Sequence, residues 1–309
     1  MGSCLSLTYW MGIDGGGSTL RVAIVREDLQ VVAQANGDTV NPSVIGHDAA
    51  ASRIHAAIQA ALAQAQIQLH DLSGAGVGIA GASVSHSERW LREVFSAIMP
   101  DVPLVPSSDL EIALVGALGE RQGVLVLAGT GSAGFGINRA GQSAQVGGWG
   151  YLLGDEGSSY WMGMQALQML TRLADGRANH VPGFSERFLN VLGLESEKAL
   201  IPWLYRSEQP RTRDVAQLAR IVIEEAANGV QIAIDICDRA AQELRLLCGT
   251  ITQRLDMQHP QIAFAGGLLD NDNFLSSRLC SLLGLEKRPV PLHKPVIGAA
   301  LLAQIASRS

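Results

Sequence analysis

Two glycine-rich turns constrain the fold of this chain more than any other sequence feature. Residues 14–19 form the first turn and residues 129–132 the second, and each turn separates two strand-like apolar segments. Aligning Asp14 with Ala128 puts the glycines and serines of the two turns in register, at an offset of 114 residues. Glycine turns between such segments predict β-hairpins. We therefore predict that one hairpin unit is repeated at the head of two parts of the chain.

The segments that follow each hairpin predict alternating strands and helices. In the first part we predict strands at 7–13, 20–25, 31–33, 75–80 and 102–105, and helices at 48–66, 86–99 and 110–118. In the second part we predict strands at 123–128, 133–137 and 261–265, and helices at 156–173, 184–192, 214–227, 229–256, 272–283 and 297–305. This order predicts an α/β fold with a division near residue 119.

The composition excludes several classes of protein. Hydrophobic residues make up 47% of the 309 residues and charged residues 17%, which suits a packed core. The net charge of −6 disfavours nucleic acid as a partner. No apolar run approaches a membrane span, and the four cysteines are far apart, so we expect a cytoplasmic protein with free thiols. Residues 1–6 fit a myristoylation pattern with Cys4 as a second lipid site, but a strand begins close behind them.

The chain lacks the two common nucleotide-binding loops. A P-loop needs lysine after glycine, and each of the three lysines follows Glu or His. Residues 129–134 do read Gly-x-Gly-x-x-Gly, and Asp155 lies about 20 residues further on, as a dinucleotide fold requires. That fold also requires a helix directly after the glycines, and the five glycines between 135 and 150 disfavour a helix.

Two glycine hairpins could together hold a phosphate chain without lysine. Their backbone N–H groups suit phosphate oxygens, and hydroxyl groups of Ser18, Thr19, Thr130 and Ser132 would add donors. Asp14, at the end of the first strand, would hold Mg²⁺ directly or through water. The alternative is that both are ordinary tight turns and that Asp14 caps one of them.

Asp109 is the candidate general base. It follows the strand at 102–105 and would stand at the rim of a cleft, where it could accept a proton from a substrate hydroxyl. The alternative is structural, because Ser108 and Glu111 form a capping-box pattern and an acid is favourable in the first helical turn.

A loop at 147–158 carries five glycines, Trp149 and two acids, which makes a poor core and a good ligand loop. Trp149 beside Asp155 suits a sugar, because the ring meets C–H faces and the carboxylate meets hydroxyls. Helix capping is the alternative role of Asp155. Gly266 and Gly267 end a strand, and could either leave bare backbone for an adenine ring or simply join strand to helix.

These motifs, in this order, resemble those of N-acetylglucosamine kinases over nearly the whole chain. Such kinases belong, with glucosamine kinases and the activators of benzoyl-CoA reductase and 2-hydroxyacyl-CoA dehydratase, to one ATPase family of the sugar kinase, Hsp70 and actin superfamily. The motifs are 13–19, 108–109, 128–132, 148–150, 154–158 and 265–267. The resemblance implies two ribonuclease H-like (actin-like ATPase) domains that flank an ATP cleft, at 1–118 and 119–294, with the closing helix at 295–309 returning to the first domain.

The resemblance also implies a role for each matching residue. Asp14 would bind Mg²⁺, and Asp109 would be the general base in contact with the sugar. The ATP-binding residues would be Gly16, Gly17, Ser18, Thr19, Gly129, Thr130, Gly131, Ser132, Gly266 and Gly267. The sugar-binding residues would be Asn41, Gly148, Trp149, Gly150 and Asp155.

The predicted function is thus transfer of phosphate from MgATP to the 6-hydroxyl of N-acetylglucosamine or glucosamine. Ala133 replaces an Asn of the compared kinases, so the exact hexosamine stays open. The alternatives are an ATP-hydrolysing switch that acts on a protein partner, and a sugar sensor without turnover. The dehydratase activators hold an iron–sulfur cluster with cysteines, and Cys237 and Cys248 lie instead on a predicted helix. The apolar stripe of that helix, 229–256, suits either the core or a homodimer interface.

Overall fold

The computed structural model describes residues 8–15, 19–79, 85–205 and 211–308. The chain divides into two compact units, each with its own hydrophobic core. Unit 1 comprises residues 1–123, 136–142 and 291–309, and unit 2 comprises residues 124–135 and 143–290.

Nine strands lie in the described part of the chain. They are β1 (Tyr9–Gly15), β2 (Thr19–Arg26), β3 (Val31–Asp38), β4 (Leu72–Ile79), β5 (Leu104–Ser107), β6 (Gly123–Ala128), β7 (Ser132–Ile137), β8 (Ser143–Gly147) and β9 (Ile262–Ala265).

The helices cover most of the rest. They are α1 (Pro42–Ile45), α2 (His47–Ala65), α3 (Ser85–Ile98), α4 (Asp109–Leu118), α5 (Ser159–Ala174), α6 (Phe184–Leu192), α7 (Leu200–Tyr205), α8 (Thr212–Ala216), α9 (Leu218–Ala227), α10 (Gln231–Arg254), α11 (Phe274–Leu283) and α12 (Pro295–Ser307). Short 3₁₀ turns occupy Leu69–Asp71 and Glu197–Ala199.

The two sheets repeat one arrangement of strands. The first has the order β3-β2-β1-β4-β5 and the second the order β8-β7-β6-β9. In the first sheet β1 pairs antiparallel with β2 and parallel with β4, and in the second β6 pairs parallel with β9. Each sheet thus contains a pair of adjacent strands joined by a glycine turn, β1 with β2 and β6 with β7, as the repeat in the sequence predicts. The predicted α/β class is confirmed.

The last helix packs against the first sheet through glycines. A Cβ atom on Gly12 of β1 or on Gly76 of β4 would lie 1.8 Å from a carbonyl oxygen of α12, that of Val296 or Ala299. Only glycine allows a helix backbone so close to a strand. Pro295 at the first position of α12 starts the helix, because proline needs no N–H partner there.

Several elements of the structure differ from the prediction. The strand predicted at 102–105 is β5, two residues later. The helix predicted at 214–227 is two helices, α8 and α9, which meet at Gln217. β8 was not predicted, because it is short, polar and glycine-ended, and it lies at the edge of its sheet.

Among the described residues, every helix is too short or too polar to cross a membrane. The lipidation pattern at residues 1–6 lies outside the described residues.

Candidate functional site

The first group of candidate residues stands at the carboxyl edge of the first sheet. Asp14, Gly78 and Ser107 are neighbours in register on the parallel strands β1, β4 and β5, close to the end of each strand. Asp109 follows β5 by two residues as the first residue of α4. Loops at this edge of a parallel sheet are the usual position of ligand sites.

Asp14 is a buried carboxylate with incomplete charge compensation. Its side chain accepts a hydrogen bond from Arg21 on the paired strand β2, with an Nη1–Oδ2 distance of 3.2 Å, and the residue is only 5% exposed. Burial raises the pKa of Asp14, Arg21 opposes that rise, and the charge of Asp109 adds to it. A divalent cation beside Asp14 would remove this penalty, so the residue fits the metal role predicted for it.

Asp109 lies at the N-terminus of α4, half-buried and close enough to Asp14 to affect its titration. Burial raises the pKa of Asp109, and hydrogen bonds from the backbone N–H groups of Leu110 and of Asp109 itself partly oppose this. The carboxylate is therefore a stronger base than an ordinary aspartate, as a general base should be.

The capping box predicted for α4 is only half present. The Ser108 hydroxyl accepts a hydrogen bond from the Glu111 N–H at 3.1 Å, as predicted. The Glu111 carboxylate instead accepts from the Ser107 hydroxyl at 2.7 Å and pairs with Arg121 at 2.6 Å. The cap is therefore Ser108, and Asp109 lies in the first turn of α4, where an acid is favourable, as the structural alternative predicts.

Asn41 is held beside the end of β1. The Asn41 N–H donates to the Thr39 hydroxyl at 3.2 Å, and Arg53 of α2 donates to the Thr39 carbonyl at 2.8 Å. Val40 packs against Gly15, because a Cβ atom on Gly15 would lie 2.8 Å from the Val40 Cγ2. Asn41, Asp14 and Asp109 thus belong to one edge of unit 1. Gly16, Gly17 and Ser18 lie outside the described residues, and Thr19 is exposed at the start of β2.

The second glycine turn is fixed by hydrogen bonds to its carbonyl groups. Ser159 and Tyr160, the first residues of α5, donate their N–H groups to Gly129 and Thr130 at 2.8 and 3.3 Å. The Gly131 carbonyl accepts from the Gly129 N–H at 2.8 Å. Because the carbonyl groups are bound by the protein, the turn is free to present N–H groups to a ligand.

The turn leaves two backbone N–H groups available, those of Thr130 and Gly131. Within the part of the chain that the structure describes, neither backbone N–H has a hydrogen-bond partner, and Thr130 is exposed. Ser132 differs, because its buried hydroxyl donates to the Glu156 carbonyl at 2.7 Å. Ser132 therefore joins the turn to the loop at 148–158.

Asp155 is buried against this turn. The residue is 8% exposed, and its carboxylate accepts hydrogen bonds from the N–H groups of Ser132 and Gly150. A Cβ atom on Gly131 would lie 2.5 Å from the Asp155 Oδ2. Burial raises the pKa of Asp155. The alternative role of Asp155 as a helix cap is wrong, because Ser158 caps α5 by accepting from the Trp161 N–H at 3.2 Å.

The rest of the loop is open to solvent. Trp149 is 75% exposed and stands between Gly148 and Gly150, which have φ angles of 73° and 83°. The Gly148 N–H donates to the Ser132 carbonyl at 3.0 Å. The loop is thus anchored to the second turn at both ends, while its aromatic ring stays available for a ligand.

Gly266 and Gly267 lie against the second turn. Gly266 has a φ angle of 92°, and a Cβ atom there would lie 2.4 Å from the Ala128 carbonyl oxygen. Gly267 is exposed, and among the described residues no atom lies within 4 Å of where its Cβ would be. Its backbone is therefore open to a ligand. The candidate residues of the second hairpin, of the loop at 147–158 and of this turn therefore form one group in unit 2.

The described cysteines are buried in two helices, Cys237 and Cys248 in α10 and Cys280 in α11. Burial raises the pKa of Cys237 to about 12 and that of Cys248 to about 11. Metal binding requires the thiolate, so both are poor ligands. Among the described residues, no three acidic, histidine or cysteine side chains cluster, so a Mg²⁺ ion at Asp14 would need water and phosphate oxygens as its other ligands.

Two site residues were not found from the sequence. Arg21 is visible as a charge in a strand, but its partner follows only from the pairing of β1 with β2. Arg53 supports the Asn41 segment from 14 positions away along the chain. Neither contact has a local sequence signal.

Known proteins match the chain over nearly its full length. The N-acetylmuramic acid/N-acetylglucosamine kinase of Clostridium acetobutylicum is 29% identical over 305 residues, which cover 98% of this chain and 99% of the relative. The N-acetyl-D-glucosamine kinase of Dictyostelium discoideum is 27% identical over 97% of this chain and 98% of its own.

A solved structure and a family model agree with these matches. A crystal structure of a candidate N-acetylglucosamine kinase from Chromobacterium violaceum matches with a TM-score of 0.73 and 29% identity, over 96% of this chain and 99% of that one. The model of the BadF/BadG/BcrA/BcrD ATPase family matches residues 11–303. The resemblance predicted from the sequence is confirmed, and the chain belongs to the BadF/BadG/BcrA/BcrD ATPase family.

Proposed function

We propose that this protein is a hexosamine kinase that transfers the γ-phosphoryl group of MgATP to the 6-hydroxyl of N-acetylglucosamine or glucosamine. The observation that carries the proposal is the pair of carboxylates at the carboxyl edge of the first sheet, the buried Asp14 and the half-buried Asp109. The full-length relatives named as kinases of N-acetylhexosamines support the substrate class.

Asp109 is the general base of this reaction. It accepts the proton of the sugar hydroxyl as that oxygen attacks the γ-phosphorus, and the bond from phosphorus to the bridging oxygen breaks to release ADP. Burial raises the pKa of Asp109, which makes its carboxylate a stronger acceptor of the proton. Asn41, Trp149 and Asp155 are the proposed sugar-binding side chains.

The free N–H groups of Thr130 and Gly131 bind phosphate oxygens, and Gly266 and Gly267 lie along the adenosine. These donors are fixed before the ligand arrives, because the carbonyl groups of the turn are already bound to α5. Asp14 is the residue that would hold Mg²⁺, and the ion would neutralise charge on the phosphates. The first turn, at 16–18, has the same proposed role.

Sugar-dependent release of ADP tests the function. We expect turnover with N-acetylglucosamine or glucosamine, and none with the 6-deoxy form of the accepted sugar, which has no hydroxyl to phosphorylate. N-Acetylmuramic acid belongs in the same panel. ADP release that is indifferent to every sugar would favour an ATP-hydrolysing switch and would overturn the proposal.

The variant Asp109→Asn tests the base. It keeps the shape of the side chain and should bind sugar, but its kcat should fall by about 10²-fold or more. Asp101→Asn is the matched control, because Asp101 is an exposed aspartate just before β5. Near-normal turnover in Asp109→Asn would refute the role of Asp109.

A further inference from the structure

The Asp155 carboxylate links two parts of the candidate site that bind different ligands. Its two hydrogen bonds reach the N–H of Ser132, in the second glycine turn, and the N–H of Gly150, in the loop that carries Trp149. The first belongs to the proposed phosphate site and the second to the proposed sugar site. One buried carboxylate therefore fixes the relative position of both segments.

The packing at this point leaves Asp155 little freedom to move. Gly131 leaves room for the carboxylate, because a Cβ atom there would lie 2.5 Å from Oδ2. Gly131 has no positive φ angle, so the reason for glycine here is space and not backbone conformation. A carboxylate so close also places negative charge beside the N–H groups that would receive phosphate.

The backbone conformation of Asp155 also indicates that the residue is held in place. Its φ angle of 59° lies in the left-handed region, which aspartate enters at some cost. Gly154 precedes it and Gly157 follows within two residues, so the chain turns sharply on both sides. Such a conformation is kept where the surrounding contacts fix it, and here those contacts are the two N–H donors.

From these contacts we infer that Asp155 is a positioning residue for the nucleotide, and that it couples nucleotide binding to sugar binding. Without the carboxylate, the Ser132 N–H is unpaired and the turn at 129–132 loses its fixed shape. The N–H groups of Thr130 and Gly131 would then be held less well, and nucleotide affinity would fall even when no sugar is present. A residue that only touched the sugar would leave that affinity unchanged.

Coupling follows from the second hydrogen bond. A sugar that orders the 148–154 loop strengthens the position of Asp155, and so also that of the phosphate turn. By linkage, the nucleotide then raises sugar affinity by the same factor. This part of the inference rests on the proposed function, whereas the effect on nucleotide affinity alone does not.

Two substitutions at Asp155 separate its hydrogen bonds from its backbone conformation. Asp155→Asn keeps one acceptor oxygen and tolerates a positive φ angle. Asp155→Gly relieves the backbone strain fully but removes both acceptors. If the side chain acts only through backbone conformation, the glycine variant should bind nucleotide at least as well as the asparagine variant.

The experiment measures the Kd of Mg²⁺–ADP by calorimetry without sugar. We expect the affinity of wild type to exceed that of Asp155→Asn, and Asp155→Asn to exceed Asp155→Gly, with a total loss of about tenfold. Asp256 provides the matched control, because it is an exposed aspartate of the same unit with a φ angle of 47°. Asp256→Asn and Asp256→Gly should leave the Kd unchanged.

Equal Kd values for wild type and both Asp155 variants would overturn the inference. Tighter binding by Asp155→Asn would also overturn it, because the main effect of the carboxylate would then be repulsion of phosphate. So would a glycine variant that binds as well as the asparagine variant. Circular dichroism would confirm that each variant is folded. If the glycine variant does not fold, the comparison of wild type with Asp155→Asn decides the role of Asp155. Repeating the titration with saturating N-acetylglucosamine measures the coupling, expected at about fivefold or more in wild type and lower in Asp155→Asn. If no hexosamine binds, the proposed function fails, while the sugar-free comparison still decides the role of Asp155.

Discussion

Asp14, Asp109 and Asp155 share one electrostatic property, because burial raises the pKa of each. An aspartate with a raised pKa in the folded state is held there at a cost in free energy. Such a cost is common where carboxylates serve a ligand or a reaction and not the fold. We therefore expect the free energy of unfolding to increase when the charge of Asp109 is removed.

Asp109→Asn should make the protein more stable at neutral pH. The folded state binds the Asp109 proton more tightly than the unfolded chain, so the stability of wild type falls as pH rises from the ordinary aspartate pKa of about 3.9 through the raised value. The variant has no such loss, so its advantage should grow across that window and disappear below it. Urea denaturation at several pH values measures this, and an advantage that is independent of pH would contradict the explanation.

The sequence allowed Asp14 and Asp109 to be named as candidates, because each lies at or shortly after the end of a predicted strand and the edge of a parallel sheet brings such positions together. It did not allow the contacts of Asp155 to be predicted. Its partners Ser132 and Gly131 lie more than 20 residues earlier, and the sequence suggested only a sugar contact or a helix cap for Asp155. A local pattern identifies a candidate residue, but its hydrogen-bond partners depend on how the loop packs.

At the scale of elements, close packing between α12 and the first sheet depends on glycines that the sequence shows only as isolated residues in strands. Gly76 is in the middle of β4, where glycine weakens a strand unless another backbone approaches it. Here the approaching backbone is α12, at Ala299. The glycine count of the chain thus reflects helix–sheet contacts as well as turns.

Gly76→Ala should destabilise the protein by about 3 kcal/mol, because its methyl group meets a helix backbone and not a side chain that can move. Gly249→Ala is the opposite control. Gly249 is in α10 with open space around its Cα, so alanine should stabilise the helix by up to about 1 kcal/mol. Thermal unfolding monitored by circular dichroism compares the two, and an unchanged midpoint for Gly76→Ala would show that α12 can move away.

Strands and helices with strong apolar periodicity were predicted to within a few residues, whereas weak ones were not. In β8 only Ala144 and Val146 are apolar, and they alternate with polar residues or glycine. This weak pattern fits an edge strand with one side open to solvent. The break at Gln217 carries no glycine or proline, so the sequence of α8 and α9 is that of one helix. Tertiary packing, not local propensity, decides both cases.

Helices that are neighbours in the sequence do not always pack in the same core. α11 precedes α12 by a short connection, yet α11 packs with α10 in unit 2 and α12 packs with β1, β4 and α4 in unit 1. The N-terminal and C-terminal segments therefore share one core. Unit 1 can fold completely only after the last helix has been made.

Hydrogen exchange tests this order directly. Under mild denaturant, backbone amides of α12 should exchange together with those of β1 and β4, since these elements share a core and lose it in one step. Amides of α11 should follow α10 instead, although α11 is the nearer neighbour of α12 in sequence. Mass spectrometry of peptides from α12, from β1 and β4, and from α10 and α11 gives the free energies of opening. Opening of α12 with α11, independent of β1 and β4, would show that the last helix does not belong to the first core.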